Sequence, residues 1–514
     1  MADVKDGIVL DCVGLDFGTT NSSVAYWDGS CIQLIDLDDG PIMQTKIKYK
    51  QVVIKSIKRI ISNPESARDW GLEWRIENGI PEFLIDETWK SIIDISADIL
   101  KNIRFKVNNK LKKNIRNTVL TVPARYNECQ RQWVVEAATN AGWKVVRVIA
   151  EPTAGFLSCE MPNGTYGIYD IGGGTFDFTL LRKEEDVIHV LGTTGDTELG
   201  GDHLDLLAAA ELKIPQEEAR ILRESGKGPE QIYKSMIEKS ISKCKDLLKQ
   251  INCKPDGIIL IGGTSQMGLV REHLAELEVP LTPVLNPQLA VAKGAAVQAR
   301  QIMEGDLHLL IDVAPLSIGV EVMNNLVEWL IYRNSPLPIA KKMVFTNSNP
   351  EQTHIIFNVV QGDSILAKEC RLLGTFSTDI NVNKRNQAKI ELNFMLDLDG
   401  MLHINCLDLD TGEARAVQFN SGEGLTITML ERMLAQGESN IAEKEEVRKL
   451  SKICAEVDNI ISAMAGEIAP DLLERRNSLN TASDAAVLFD ELTKLYNHKI
   501  EQKLCGCIDQ FITK

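Results

Sequence analysis

Three glycine-rich turns carry the residue types that phosphate chemistry needs. The first is Gly14-Leu15-Asp16-Phe17-Gly18-Thr19-Thr20-Asn21-Ser22, behind an apolar run. The second is Tyr169-Asp170-Ile171-Gly172-Gly173-Gly174-Thr175-Phe176-Asp177, and the third is Leu260-Ile261-Gly262-Gly263-Thr264-Ser265. Glycine tolerates positive φ and lets backbone N–H groups come close to phosphate oxygens. Thr and Ser hydroxyls add donors. An Asp beside such a turn can hold hydrated Mg²⁺, an ion that takes carboxylate, water and phosphate oxygens. Two Asp–Gly–Thr turns of one design could clamp a triphosphate between two lobes. A Walker-type GxxxxGK(S/T) segment is absent, and no GxGxxG follows a strand, so neither a P-loop nor a dinucleotide fold is expected.

The surrounding chain must supply strands that end in these turns. Ile8–Gly14, Asn117–Val122, Tyr166–Asp170 and Ile258–Ile261 read as apolar strands, and Glu128–Ala141 reads as a helix with one Ala/Val face. Strands alternating with helices predict an α/β domain over residues 1–305. Residues 306–420 change texture. Ile355–Val360, Lys389–Phe394 and Leu402–Leu407 are short β-rich runs, with turn pairs at Asp399-Gly400 and Thr411-Gly412. These predict an antiparallel sandwich. Asp397-Leu398-Asp399-Gly400 lacks the ligand pattern of a calcium loop and reads as a hairpin turn. Residues 421–514 are rich in Glu, Lys, Leu and Ala. Leu425, Met429, Met433 and Ile441 recur at helical spacing, which predicts a helical tail.

Composition narrows the partners. The 514 residues hold 56 Lys+Arg against 72 Asp+Glu, a net charge of −16. That balance argues against a nucleic-acid surface and against a polybasic membrane anchor. No apolar run reaches the roughly 18 residues of a spanning helix, and the first residues do not read as a secretory signal. Eleven scattered cysteines suit free thiols in the cytoplasm. Cys505 and Cys507 alone are too few for a typical zinc site.

The ordered segments DFGTTNS, TVPARYNECQRQ, EPTAG, YDIGGGTFDFTLL, LGGDHLD, LIGGTSQM, NPQLAVAKGAAVQA and LLIDVAPLSIGVEV resemble the DnaK-type heat-shock chaperones over nearly the whole chain. The resemblance implies a two-lobed, actin-like ATPase domain (1–305), an apolar linker (306–314), a β-sandwich that binds peptides (315–420) and a short α-helical lid (421–514). It implies ATP and Mg²⁺ as cofactors. Asp16 is then expected near the Mg²⁺ and its waters, and Gly18, Thr19, Thr20 and Asn21 at the phosphates. Lys58 in SIKRI matches the lysine that orients the attacking water, and Glu151 in EPTAG a carboxylate near metal and water. Asp170, Gly172, Gly173, Gly174, Thr175 and Asp177 match the second phosphate turn. Gly200 and Gly201 would face ribose and phosphates, and Gly262 and Gly263 the adenosine. Glu217 and Arg220 in EEARI match an adenosine-contacting helix. Without the resemblance, Lys58 reads as a surface lysine and Glu151 as a helix cap.

The same resemblance assigns interdomain coupling to Pro123, Arg131, Leu309, Leu310 and Asp312. Arg131 could otherwise form an ion pair on its helix, and the linker could be a simple buried strand. The peptide cleft would be lined by Val320, Val322, Met323, Phe345, Ile355, Phe357 and Ile390, positions that otherwise read as sandwich core. Extended peptides bind such clefts through backbone hydrogen bonds and apolar pockets.

Some features depart from the family pattern. Asn21–Lys58 and Arg220–Ile258 are short, so parts of the outer lobes are expected to be missing. Gln266 and Gln288 replace a typical Arg and Asp. VLGTTGDTELGGDHLDLLAA and LVEWLIYRNSPLPIAKKMVFT are most similar to the HscA branch, which serves iron–sulfur cluster assembly with a J-domain co-chaperone and a scaffold protein. The function expected is an ATP-hydrolysing chaperone cycling on extended client peptides. The alternatives are a general DnaK-like foldase and a nucleotide-binding peptide scaffold without productive turnover.

Overall fold

The computed structural model describes residues 11–50, 52–62, 71–77, 80–185, 187–305, 309–322, 325–347, 352–380 and 387–417, with 487, 488 and 491. The expected helical tail, Met323, Cys505 and Cys507 lie outside these residues, apart from helical Val487, Leu488 and Glu491. By contact the chain divides into one unit of Met1–Asp363 with Cys370–Thr426, and another of Ser364–Glu369 with Ile427–Lys514.

Apolar runs bounded by Gly and Pro become the strands of two similar sheets. The first has the order Lys144–Ala150, Asn117–Val122, Cys12–Phe17, Asn21–Trp27, Ile32–Leu34, with Met43–Gln44 also paired to Asn21–Trp27. The first three strands run parallel, and Cys12–Phe17 forms an antiparallel pair with Asn21–Trp27. The second sheet repeats this plan as Leu281–Thr282, Gly257–Ile261, Gly164–Ile171, Phe176–Glu184, Val187–Asp196. In each sheet the first hairpin turn follows the inner strand, so Gly18–Thr20 and Gly172–Thr175 occupy equivalent places. Gly257–Ile261 is buried at every position, as befits a parallel strand covered on both faces.

Two glycines set the helix packing. A Cβ on Gly14 would lie 2.1 Å from the Ala296 nitrogen, so the strand passes close beneath the Ala290–Glu304 helix. A Cβ on Gly294 would lie 1.6 Å from the Ala154 carbonyl oxygen, where that helix crosses Glu151–Leu157. The expected Glu128–Ala141 helix forms over Glu128–Asn140. Its Asn127 cap accepts from the Gln130 N–H, and Gln130 closes a capping box. Within Asn21–Lys58 the chain forms the Lys46–Lys48 and Val53–Lys55 hairpin.

The β-rich region forms two four-stranded antiparallel sheets. One has the order Leu326–Ile331, Ser317–Val322, His354–Gly362, Arg371–Asp379, and the other Ile339–Phe345, Ile390–Leu396, Leu402–Asp408, Ala414–Val417. Ile390, Leu392, Phe394 and Leu396 alternate inward, the period expected of a sheet with one buried face.

This sandwich touches both lobes, the first built on the sheet of Cys12–Phe17 and the second on the sheet of Gly164–Ile171. Leu309–Ile311 adds to the second sheet as its sixth strand, parallel to Val187–His189. The expected turn at Asp397–Gly400 is present, with Gly400 at φ 73°. It also reaches the first lobe: the Val148 N–H donates to Asp399 Oδ1 at 2.9 Å, and Arg147 approaches the same oxygen at 3.4 Å. Arg333 donates to the Thr193 carbonyl of the second lobe at 2.7 Å. The apolar core runs unbroken from first-lobe residues such as Val13 and Trp133 to sandwich residues such as Val320 and Phe394.

The Gly294 contact yields a test. Gly294→Ala drives a methyl into backbone, so it is expected to destabilise by roughly 2–4 kcal/mol. Half-buried Gly40 has nothing within reach of a Cβ, so Gly40→Ala should stay within about 0.5 kcal/mol. Urea unfolding of the two variants checks the difference.

Candidate functional site

The two phosphate-type turns meet face to face. A Cβ on Gly173 would lie 1.8 Å from Thr20 Oγ1, and one on Gly174 would lie 2.5 Å from Thr19 Oγ1. Only hydrogen fits at either place. The Gly201 N–H donates to the Gly172 carbonyl at 3.0 Å, and Thr264 Oγ1 donates to the same carbonyl at 2.8 Å. The third turn is thereby tied to the second. Gly262 stands at φ 81°, where a Cβ would meet the Ile171 carbonyl at 2.4 Å.

These turns enclose a cleft of about 800 Å³. Asp16, Gly18, Thr19, Thr20, Asn21, Glu151, Asp170, Gly172, Gly173, Gly174 and Thr175 line one end, with Gly262 and Gly263 further along. Arg220, Arg223, Lys227, Tyr233, Gln266 and Gln288 line the remainder. Gly200 underlies the second turn, where its Cβ would strike the Gly173 carbonyl at 2.4 Å. Gly201 begins the Gly201–Leu212 helix beside Arg223 and Thr264. Glu217 is not among the cleft-lining residues and pairs instead with Arg220.

Lys58 lies below the lining, 1% exposed. Its Nζ donates to Glu151 Oε1 at 2.7 Å and sits 5.7 Å from the ring centroids of Phe17 and Tyr126. Tyr126 Oη donates to the Lys58 carbonyl at 3.2 Å. The alternative of a surface lysine is therefore overturned. Glu151 does begin the Glu151–Leu157 helix, and its carboxylate points to Lys58 rather than capping it.

Burial and crowding act on the remaining acids. Asp16 is pushed from 3.8 to about 7, first by burial and then by the Glu151 charge, while Lys58 and a hydrogen bond from Thr121 oppose the shift. Asp177 also rises to about 7 through burial and Glu151, against hydrogen bonds from the Ala124 and Arg125 backbone. Asp170 is raised well above its usual range by burial, then by Glu151, Asp177 and Asp16. Asp177 Oδ1 is buried with no hydrogen-bond partner. Like charges this close favour a cation among them.

Among the described residues no group of three His, Cys, Asp or Glu forms a metal cage. Carboxylate oxygens beside a glycine cradle are the kind of donors that hydrated Mg²⁺ takes together with phosphate oxygens.

Sequence reasoning did not single out Asp202 or Ser56. Asp202 accepts from Thr20 Oγ1 at 3.1 Å and from Ser56 Oγ at 2.7 Å. Asp202 stands inside the quoted LGGDHLD segment, and Ser56 begins SIKRI, but neither carries a signal beyond its neighbours. Arg223, held by Asp205 at 2.6 and 3.1 Å, was also missed; its helical spacing to Arg220 was the available clue.

The Hsp70 family model, described as "Hsp70 protein", matches residues 81–214 and 225–508. The chain belongs to the Hsp70 family. Its relatives include the "Chaperone protein HscA homolog" of Mannheimia succiniciproducens, 30% identical over 93% of this chain and 89% of that protein. The homolog of Shewanella loihica is 30% identical over 97% and 92%, and the "Chaperone protein HscA" of Xenorhabdus nematophila 30% identical over 92% and 88%. As an Hsp70 protein it is an ATP-binding chaperone and an ATPase, with the likeness to HscA proteins seen in the sequence. Hsp70 membership implies an actin-like ATPase domain plus a β-sandwich, consistent with the mixed α/β sheets described above. Among the described residues no helix is long and apolar enough to cross a membrane.

Coupling and peptide positions fall as follows. Pro123 is buried, and its carbonyl accepts from the Tyr126 N–H at 3.1 Å. Arg131, 5% exposed, donates to the carbonyls of Tyr126 at 3.1 Å and Asp399 at 3.2 Å rather than forming an ion pair on its helix. Leu309 and Leu310 pair in register with Val187 and Ile188. Asp312 is raised by burial, against the pull of Arg131. Val320, Ile355, Phe357 and Ile390 are buried in the apolar core, and Val322 and Phe345 are half-buried.

The acid cluster predicts a pH dependence. Unfolded, Asp16 and Asp177 titrate near 3.8; folded, they titrate near 7. The folded state binds more protons between these values, so stability falls as pH rises through that window. Without nucleotide, Tm is expected to drop by about 2–5 °C from pH 5.5 to 8. Asp177→Asn should flatten the slope. A slope unchanged by that variant in thermal melts would remove the cluster as its cause.

Proposed function

We propose that the cleft binds ATP with Mg²⁺ and that hydrolysis there drives a peptide-binding cycle. The observation that carries this reading is Lys58, enclosed by Glu151, Phe17 and Tyr126 beneath two facing phosphate turns. Bound Mg²⁺ would neutralise phosphate charge and order water, the chemistry phosphoryl transfer needs in place of a covalent nucleophile. Asp16 and Asp170 would hold the hydrated ion. Backbone N–H groups of Gly18–Asn21 and Gly172–Thr175 would grip the phosphates, aided by the Thr19, Thr20 and Thr175 hydroxyls. Lys58, fixed by Glu151, would orient the attacking water. Asp177 Oδ1, lacking a partner, would accept its proton. Gly200, Gly201, Gly262, Gly263, Arg220 and Arg223 would bound the nucleoside, while Glu217 would act by steadying Arg220.

In the same reading, residues 1–305 form the ATPase domain, 306–314 the linker, 315–420 the peptide domain and 421–514 a helical lid. Val320, Val322, Met323, Phe345, Ile355, Phe357 and Ile390 would shape the client cleft of the sandwich. Pro123 and Arg131 would pass nucleotide state to the sandwich, with Leu309, Leu310 and Asp312 as the moving strap. Support comes from Arg131 bridging its own loop to the Asp399 carbonyl. We further propose a J-domain co-chaperone and an iron–sulfur scaffold client, on the strength of the HscA relatives. A cytoplasmic setting suits a chain with no disulfide among its described residues.

Single-turnover hydrolysis tests the core of this proposal. Lys58→Ala should lower the rate by about 10²–10³-fold; a rate equal to wild type would sink the reading in favour of a non-cycling scaffold. Stimulation by a J-protein with an iron–sulfur scaffold peptide, but not with generic apolar peptides, separates the specialised chaperone from a general foldase.

Coupling has its own test. Asp399→Ala removes the carboxylate that the Val148 N–H and Arg147 reach. It is expected to keep basal hydrolysis within about twofold while stimulation by peptide falls about tenfold, since a lost buried bond is worth about 1–3 kcal/mol. Full stimulation in the variant would show that docking through this turn does not carry the signal.

A further inference from the structure

Asp202 joins three pieces of the cleft that come from distant parts of the chain. It is the second residue of the Gly201–Leu212 helix and is 7% exposed. Its backbone N–H donates to the Gly173 carbonyl at 2.7 Å, which pins it to the second phosphate turn. One side-chain oxygen accepts from Thr20 Oγ1 in the first turn at 3.1 Å. The other accepts from Ser56 Oγ at 2.7 Å. Both hydroxyl donors belong to the first lobe, while the carboxylate belongs to the second.

Ser56 makes the arrangement more than a surface contact. Its φ of 55° is left-handed, a conformation that costs a side-chain-bearing residue and persists only where the surroundings impose it. It directly precedes the short Ile57–Ser62 helix, and its carbonyl accepts from the Arg59 N–H at 3.0 Å. Lys58 lies two residues on. Holding Ser56 therefore sets where that helix starts and where the ammonium lands. The Thr20 arm acts on the opposite wall, where a Cβ on Gly173 would already clash with the same hydroxyl. Moving Asp202 away would free the first turn and the Lys58 arm together.

We propose that Asp202 is the latch between the lobes: a positioning residue that closes the two phosphate turns on each other and fixes the Lys58 helix in one step. The inference rests on the nucleotide-site reading above for its effect on turnover. The latch itself is a property of the chain without ligand.

Amide hydrogen exchange on the full chain, free of nucleotide, reads the latch directly. Asp202→Ala is expected to raise exchange at least tenfold in Asn21–Trp27 and Ser56–Ile61, with Ala290–Glu304 unchanged. Asp202→Asn can accept one hydroxyl and donate to the other, so it should restore most of the protection. Ser56→Ala removes one arm only and should loosen Ser56–Ile61 while sparing Asn21–Trp27; it serves as well if the Asp202→Ala chain does not fold. Unchanged exchange in Asp202→Ala, or no rescue by Asp202→Asn, overturns the latch whether or not the chain hydrolyses ATP. In single-turnover assays, Asp202→Ala should lower kcat at least tenfold, more than it raises KM, because a small displacement of the reacting groups costs rate before affinity. Loss confined to KM would assign Asp202 to binding and overturn its positioning role. Faster exchange in a chain whose wild type hydrolyses nothing would keep the latch and refute the nucleotide reading.

Discussion

One end of the cleft is organised around the Lys58 ammonium and the carboxylates of Asp16, Glu151, Asp170 and Asp177. Lys58 reaches the site from a short helix, Asp16 from an inner strand, Glu151 from a helix start, and Asp170 and Asp177 from the hairpin of the second sheet. Glu151 takes the lysine at 2.7 Å. The other three carry raised pKa values because burial and mutual repulsion disfavour their charged forms. Such a cluster is costly to fold around, and it is eased by a bound cation. The parallel sheets, the close helix crossings and the facing turns can all be read as the framework that keeps these groups together despite that repulsion.

That framework depends on very short approaches. Gly14 and Gly294 let the Ala290–Glu304 helix lie against a strand and against the helix of Glu151. Gly173 and Gly174 let the two turns meet so closely that no Cβ would fit between them. Rigid backbone at these points transmits small displacements, because packed interiors have few voids to absorb them. The sandwich is part of the same solid. Its Asp397–Gly400 turn abuts Arg131 and Arg147, its Arg333 reaches Thr193, and the preceding strand completes the second sheet.

The two ends of the cleft differ in character. The phosphate end is glycine, hydroxyl and carboxylate. The other end offers Arg220, Arg223, Lys227, Tyr233, Gln266 and Gln288. The 30% identity to HscA proteins spans nearly the full length.

Much was legible beforehand, for local reasons. The strands at Asn117–Val122 and Gly257–Ile261, the capped helix at Glu128 and the Asp399-Gly400 turn follow from periodicity and turn chemistry that act over a few residues. The three glycine turns announced phosphate binding because only glycine gives backbone that access. Lys58 was ambiguous: one lysine in SIKRI has no local mark of burial, and only the folding of Phe17, Tyr126 and Glu151 around it settles its place. Arg131 was ambiguous for the same reason, since its partners are carbonyls, one of them far along the chain. Asp202 and Ser56 were invisible, because a hydroxyl–carboxylate contact across 146 residues leaves no spacing to read. Sequence by itself determined the element types, the turns and the family. Tertiary structure alone decided which charges share a buried space, because burial and Coulomb energy depend on distance in three dimensions and not along the chain.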